Sequence, residues 1–222
     1  MNAVMHDPPP TPRGNDAEGR LRRRYGRIAV GYDRRWARYI EASVAETLDR
    51  LDQAERRRAL DVGCGTGALI ERATRASPAR FVGVDLSPEM LAAARARLGP
   101  RPELVAGSAA ALPFRSGAFD LAVSTSALHH WDDPLPALRE MERVLRPGGM
   151  VAITDWCGDR WLERLRTGIL RRHERVHLRV YRSAELAALL AEAGFAEVRV
   201  ERWRIGWRWS LMTATAVRPG GA

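Results

Sequence analysis

Gly63, Gly65 and Gly67 occupy alternate positions in Asp61-Val62-Gly63-Cys64-Gly65-Thr66-Gly67. A backbone without Cβ atoms can turn sharply there and let a ligand lie directly against it. The apolar residues Ala59, Leu60 and Val62 before the turn read as the end of a buried strand. Ala68, Leu69 and Ile70 after it read as the start of a helix, whose unpaired N–H groups and positive dipole end face whatever occupies the turn. Ala68 also satisfies the looser dinucleotide fingerprint, whose third position accepts Gly or Ala. A carboxylate, Asp85, follows a little over 20 residues beyond Gly63, where an acidic side chain at a strand mouth can accept both ribose hydroxyls. Further on, His129 and His130 stand side by side. A neutral imidazole there could take a proton from a substrate, or the pair could simply fix its own loop. These residues describe a site for a cofactor containing a ribose. Residue chemistry alone does not choose between NAD and S-adenosylmethionine.

The elements that position these residues follow from periodicity. Met1 to Gly19, with Pro8-Pro9-Pro10 and Pro12, is expected to be a disordered tail. Residues 20–57 are expected to form an N-terminal helical lid. It begins with a short helix or turn around Tyr25, Ile28 and Tyr32. A longer helix capped by Asp33 follows, with Trp36, Ile40, Val44, Leu48 and Leu51 on one face. The domain proper runs over residues 58–222. Strands are expected at Arg80 to Asp85, Glu103 to Ala106, Phe119 to Ser126 and Met150 to Thr154. Ser87 and Pro88 mark a helix start, with Leu86 stapled onto Leu91. A second helix begins at Pro134 and is stopped by Pro147-Gly148-Gly149. Trp161 to Leu170 reads as helical, followed by a basic connection, Arg171 to Arg182, carrying His173, His177 and Tyr181. Ser183 caps a helix closed by Gly194. Ala196 to Ile205 and Trp207 to Val217 then form two long strands turning near Gly206. No helix fits between them, so they must be antiparallel. Strands alternating with helices imply a mostly parallel α/β sheet covered on both faces and finished by an antiparallel hairpin.

Composition narrows the partners. The formal charge is +9, and all 36 basic side chains are Arg, with no Lys. The excess is spread along the chain, so it reads as a compositional bias more than as a phosphate-binding face. No nucleic-acid partner is expected, although Trp203, Arg204, Trp207, Arg208 and Trp209 could stack bases. Their alternation is more simply a strand with one packed and one wet face. The same hairpin and the Arg-rich N-terminus are compatible with transient membrane-surface contact. Two cysteines, Cys64 and Cys157, are too few for a disulfide framework and fit a reducing cytosol. No apolar run reaches membrane-span length and no signal core is visible at the N-terminus, so a cytoplasmic protein is expected. No metal is expected.

The motifs taken in order resemble the class I S-adenosylmethionine-dependent methyltransferases. The glycine turn and Gly83-Val84-Asp85-Leu86-Ser87-Pro88-Glu89-Met90-Leu91 match that family's first two motifs. Leu112-Pro113-Phe114, Phe119-Asp120, Leu128-His129-His130-Trp131 and Val144-Leu145-Arg146-Pro147-Gly148-Gly149 continue it, over about Ala59 to Trp156. The set is similar to the branch containing quinone- and sterol-modifying enzymes. The resemblance implies a Rossmann-like sheet that binds S-adenosyl-L-methionine. It places Gly63, Gly65, Gly67, Thr66 and Asp61 under the methionine part, Asp85 on the ribose, and Leu86 and Met90 on the adenine. The adenine-edge polar residue falls on Ser108, followed by Ala109. That is a departure, because the family often carries Asp or Asn there. Thr125 would sit near the methionine end. Separately from the resemblance, their place just past the fourth strand makes His129 and His130 candidate bases, and Tyr25, Tyr32 and Trp36, which precede the sheet with no strand to join, are expected to form an aromatic lid. The implied activity is methyl transfer to a small, aromatic or lipidic acceptor. A nucleic-acid methyltransferase and a catalytically silent cofactor-binding partner protein are the alternatives.

Overall fold

Period-two alternation along the strands sends their side chains into two separate cores. In β1 (Arg58–Val62) and β4 (Phe119–Thr125), Ala59, Leu121 and Val123 pack to one side. Leu60, Val62 and Ala122 pack to the other. The computed structural model describes residues 16–51, 57–160, 179–207 and 209–220. Within them the chain runs α1 (Asp16–Ile28), α2 (Tyr32–Asp49), β1, α3 (Ala68–Ala76), β2 (Arg80–Asp85), α4 (Pro88–Leu98) and β3 (Glu103–Ala106). It continues through β4, a 3-10 turn at Leu128–His130, α5 (Pro134–Val144), β5 (Leu145–Trp156), α6 (Ser183–Glu192), β6 (Ala196–Ile205) and β7 (Trp209–Val217).

The seven strands form one sheet in the order β3-β2-β1-β4-β5-β7-β6. The first five are parallel, while β7 runs antiparallel to both β5 and β6. One face is covered by α2 and α3 through Val44, Leu48, Leu69, Ile70 and Ala73. Leu138 and Met141 of α5, with Leu186 and Leu190 of α6, cover the other. Each fully buried Leu in these layers contributes roughly 1.5–3 kcal/mol over an exposed one. This is the expected Rossmann-like α/β sheet, mostly parallel with a C-terminal antiparallel hairpin and helices on both faces.

Local chemistry explains the boundaries, including those that differ from expectation. Ser87 caps α4 by accepting from the Met90 N–H at 3.3 Å, with Pro88 in the first turn. Helix α1 starts at Asp16, so residues 16–19 are helical and not tail. The prolines end at Pro12, and nothing from Asp16 to Glu18 breaks a helix. Residues 1–15 lie outside the described residues. Helix α2 begins after Gly31, which sits at φ +89°; Asp33 lies inside the first turn, and its carboxylate is engaged elsewhere. Helix α5 ends at Val144, three residues before Pro147, because Leu145 already turns extended and joins β5. Ser183 is the first residue of α6, not its cap, and its hydroxyl donates to Asp159 at 2.7 Å. Gly194, at φ +103°, closes that helix as expected. The proposed helix at 161–170, His173 and His177 lie outside the described residues.

Candidate active site

The strand order reverses between β1 and β4, so connections leave these neighbours in opposite directions and open a crevice beyond their C-terminal ends. A cavity of about 420 Å³ occupies that crevice. Its floor comes from the residues following β1, β2, β3 and β4, and its roof from α1 and α2, through Leu21, Tyr25, Tyr32 and Tyr39 among others.

The turn after β1 is held from below and open from above. Gly63 and Cys64 donate their N–H groups to the Val84 carbonyl at 2.8 and 3.0 Å. A Cβ at Gly63 would come within 2.7 Å of the Ala127 Cβ. Gly65 sits at φ +52°, where a Cβ would meet no protein atom within 4 Å, and it lines the cavity. Gly67 serves a different end: it does not line the cavity, and a Cβ there would strike Leu98 of α4 at 2.7 Å. The Thr66 hydroxyl donates to Asp33 of α2 at 2.7 Å, and Arg97 of α4 clamps the same carboxylate at 2.5 Å.

Asp85 ends β2 with its carboxylate partly committed. One oxygen accepts from the Gly65 N–H and the other from the Ser87 N–H, both at 2.8 Å. An ionised carboxylate offers about four acceptor directions, so acceptor capacity remains for a ligand. Burial raises its pKa, and the backbone N–H groups of Ser87, Gly65 and Leu86 pull it part of the way back. Asp61 is more extreme. It is buried on the cavity floor, and among the described residues its Oδ2 has no hydrogen-bond partner. Burial first, and the nearby Asp85 charge second, push its pKa up to about 8. Across the floor, Thr125 Oγ1 is likewise buried without a partner. Buried polar atoms are rarely left unpaired. Two facing one cavity fit a ligand carrying an amino or ammonium group, and Asp85 beside them fits its ribose. Leu86, Met90, Ser108 and Ala109 line the cavity's other end.

The two histidines part company. His130 lines the cavity, and its Nε2 lies 2.5 Å from the Tyr25 hydroxyl of α1. His129 is buried and does not line it. Its Nδ1 lies 2.7 Å from Asp155 Oδ1, its N–H donates to Asp155 Oδ2 at 3.1 Å, and its ring stacks on Trp156 at 4.5 Å. The rings of His129 and His130 are 4.0 Å apart, so the buried one forms the wall behind the other. Tyr25 and Tyr32 line the cavity, whereas Trp36 packs on Tyr39 and Trp209 instead. Tyr181 is buried in the core, away from the cavity.

Sequence reasoning missed Tyr39, Ser126 and Glu18. The Tyr39 hydroxyl meets Ser126 Oγ at 2.7 Å, and Ser126 holds φ +59°, uncommon for a residue with a side chain. Glu18, from the stretch assigned to the tail, accepts the Ser108 hydroxyl at 2.6 Å. No local pattern announces these contacts, since each joins residues far apart in the chain.

A reversed parallel sheet with a glycine turn, a ribose-spaced carboxylate and orphan polar atoms in one crevice defines a nucleoside-cofactor-binding α/β domain. Residues 60–153 match the family model described as a methyltransferase domain. The chain is 33% identical over 128 residues to a demethylmenaquinone methyltransferase of Chlorobaculum tepidum, covering 58% of this chain and 51% of that protein. It is 33% identical over 161 residues to the O-methyltransferase resE of Aspergillus sclerotiorum, covering 70% and 61% respectively. It thus spans less than two thirds of the length of either relative. Among solved structures, the complex of the Haloferax volcanii Trm112 methyltransferase activator with a putative methyltransferase contains a similar chain. That match has a TM-score of 0.77 at 21% identity and covers 88% of this chain and 98% of that one, a likeness of fold. The methyltransferase-domain match over residues 60–153, together with these relatives and this fold, supports a class I S-adenosylmethionine-dependent methyltransferase.

Proposed function

We propose that the protein transfers a methyl group from S-adenosylmethionine to a small acceptor of aromatic or lipidic character. The observation that carries this reading is the meeting, in one cavity, of orphan acceptors on the floor and a tyrosine roof above them. Asp61 and Thr125 would receive the ammonium end, with Gly65 and Thr66 beneath it. Asp85 would take the ribose, and Leu86, Met90, Ser108 and Ala109 the adenine. The bound sulfonium supplies an electrophilic methyl, so the protein's share is alignment and exclusion of water. Alignment of two reactants alone can supply roughly 7–11 kcal/mol of a barrier.

The roof supplies the acceptor's surroundings. Tyr25, Tyr32 and Tyr39, with Ile40 and Val44, present flat and apolar surface to the cavity. Such a wall suits a ring or chain better than a polyanion. The quinone and O-methyltransferase names of the relatives point the same way. His130 stands on this side as the base for an acceptor that carries a proton. His129 acts through it, as a wall fixed by Asp155. Helix α1 and the start of α2 would close over the bound cofactor.

Incubation with methyl-labelled S-adenosylmethionine tests the reading. Label should pass to a hydroquinone or phenol extracted into organic solvent, and not to DNA or RNA. Transfer to nucleic acid alone would replace this reading with its rival. Tight binding of NAD without S-adenosylmethionine would remove it.

A further inference from the structure

The floor of the cavity has a direction. Thr125 and His130 lie at the β4 end, Asp85 at the end of β2, and Ser108 just beyond β3, the next strand outward. The Gly107 N–H donates to the Asp85 carbonyl at 3.1 Å, which fixes the Ser108 loop beside the ribose position. A base attached to a ribose on Asp85, and pointing away from His130, therefore ends beside Ser108. The acceptor capacity there is thin. A hydroxyl has one hydrogen, and Ser108 gives it to Glu18 Oε1 at 2.6 Å while its oxygen takes the Ala110 N–H at 3.1 Å. Glu18 belongs to α1, lines the same cavity, and accepts no other hydrogen bond among the described residues.

We propose that Glu18 reads the base: the lid helix brings a carboxylate to the edge of the adenine, where its second oxygen accepts from the 6-amino group. Ser108 is then a positioning residue, holding the carboxylate in place by its hydroxyl. Base recognition and placement of α1 become one event, since the reading group arrives only when α1 lies over the cavity. This rests on the proposal that the cavity binds S-adenosylmethionine. It adds that the chain's preference for adenine is carried by the N-terminal helix and not by the β3 loop.

Calorimetric titration of the full chain with S-adenosylhomocysteine and with S-inosylhomocysteine tests it. The second ligand has an oxo group in place of the 6-amino group and so presents an acceptor to an acceptor. The unmodified chain should bind the adenine ligand about tenfold or more tightly than the inosine one, as expected for a hydrogen bond to a charged group. Glu18→Gln should narrow the gap to within about threefold, because an amide can turn its NH2 toward the oxo group. Ser108→Ala should narrow it partly, and Ser108→Asp in the Glu18→Gln background should restore it by putting a carboxylate on the loop. Undiminished discrimination in Glu18→Gln overturns the inference while leaving the cofactor reading intact. Failure of the unmodified chain to bind either ligand overturns the cofactor reading, and the inference with it.

Discussion

The Tyr25 hydroxyl of α1 lies 2.5 Å from Nε2 of His130, so the roof of the cavity is bonded to the one imidazole that faces it among the described residues. Burial raises the Tyr25 pKa, with the Tyr32 charge adding to it, and the phenol therefore stays protonated and acts as the donor. His130 Nε2 is then the accepting nitrogen, the form a general base requires, and an acceptor substrate would take the place of the phenol. His130→Ala should lower turnover about 10²-fold or more with little change in cofactor affinity. Tyr25→Phe should cost about 0.5–1.5 kcal/mol in retention of the cofactor when no acceptor is present. Single-turnover rates and calorimetry separate the two; equal turnover in His130→Ala would leave alignment as the whole mechanism.

Asp61 should make cofactor affinity depend on pH. Its pKa is raised from a carboxylate's usual value to about 8, chiefly by burial. At neutral pH the empty protein holds a proton there, which a bound ammonium group would displace. Affinity should rise with pH up to about 8, with release of a proton, read as a dependence of binding heat on buffer ionisation enthalpy. The sign for stability is opposite. A raised folded-state pKa stabilises the protein fully below the unfolded value of 3.8 and loses that contribution as pH climbs to about 8. Asp61→Asn should flatten both profiles.

Asp85 carries two burdens. Its carboxylate already takes the N–H groups of Gly65 and Ser87. Asp85→Ala should weaken S-adenosylhomocysteine by about 1.5–3 kcal/mol through lost ribose hydrogen bonds. It should also lower the melting temperature of the free protein, because those two N–H groups are orphaned. Unchanged affinity in a folded Asp85→Ala chain would move the ribose elsewhere.

The net positive charge should not produce tight DNA binding. Many guanidinium groups are spent locally: Arg50 on Glu46 and Glu201, Arg143 on Glu140, Arg146 on Asp120, Arg218 on Glu142. Contact with several duplex phosphates gives a log-affinity slope of about −0.9 per contact against log salt. Titration of labelled duplex across salt concentrations should show weak binding at physiological strength; a steep slope with tight binding would contradict this.

The strand–turn–helix around Gly65 and the Ser87-Pro88 helix start were legible because each is a local bargain between adjacent residues. The alternation of Leu121, Ala122 and Val123 was legible for the same reason. What a distant element does to a site was not. Glu18 meets Ser108 across 90 positions and Tyr25 meets His130 across 105, and an Arg-rich helix after a proline tract shows no sign of either. His129 and His130 are chemically identical in sequence. The 3-10 turn and the Asp155 carboxylate decide which one faces inward.

Gly31, at φ +89°, separates two helices fastened in unlike ways. The hydroxyls of Thr47, Thr154 and Thr213 touch in series at 2.7 and 2.9 Å, rooting α2 in the middle of the sheet, and Tyr39 adds a bond from Trp156 at 2.9 Å. Helix α1 reaches the cavity floor through Glu18 and Tyr25, at its two ends. The sequence therefore builds a door and a doorframe from what reads as a single lid: α2 is tied to the sheet, and α1 is expected to be the part that opens, about Gly31. Amide hydrogen exchange should show the Leu21–Arg27 amides opening far more readily than those of Val44–Leu48. Ligand should slow α1 alone.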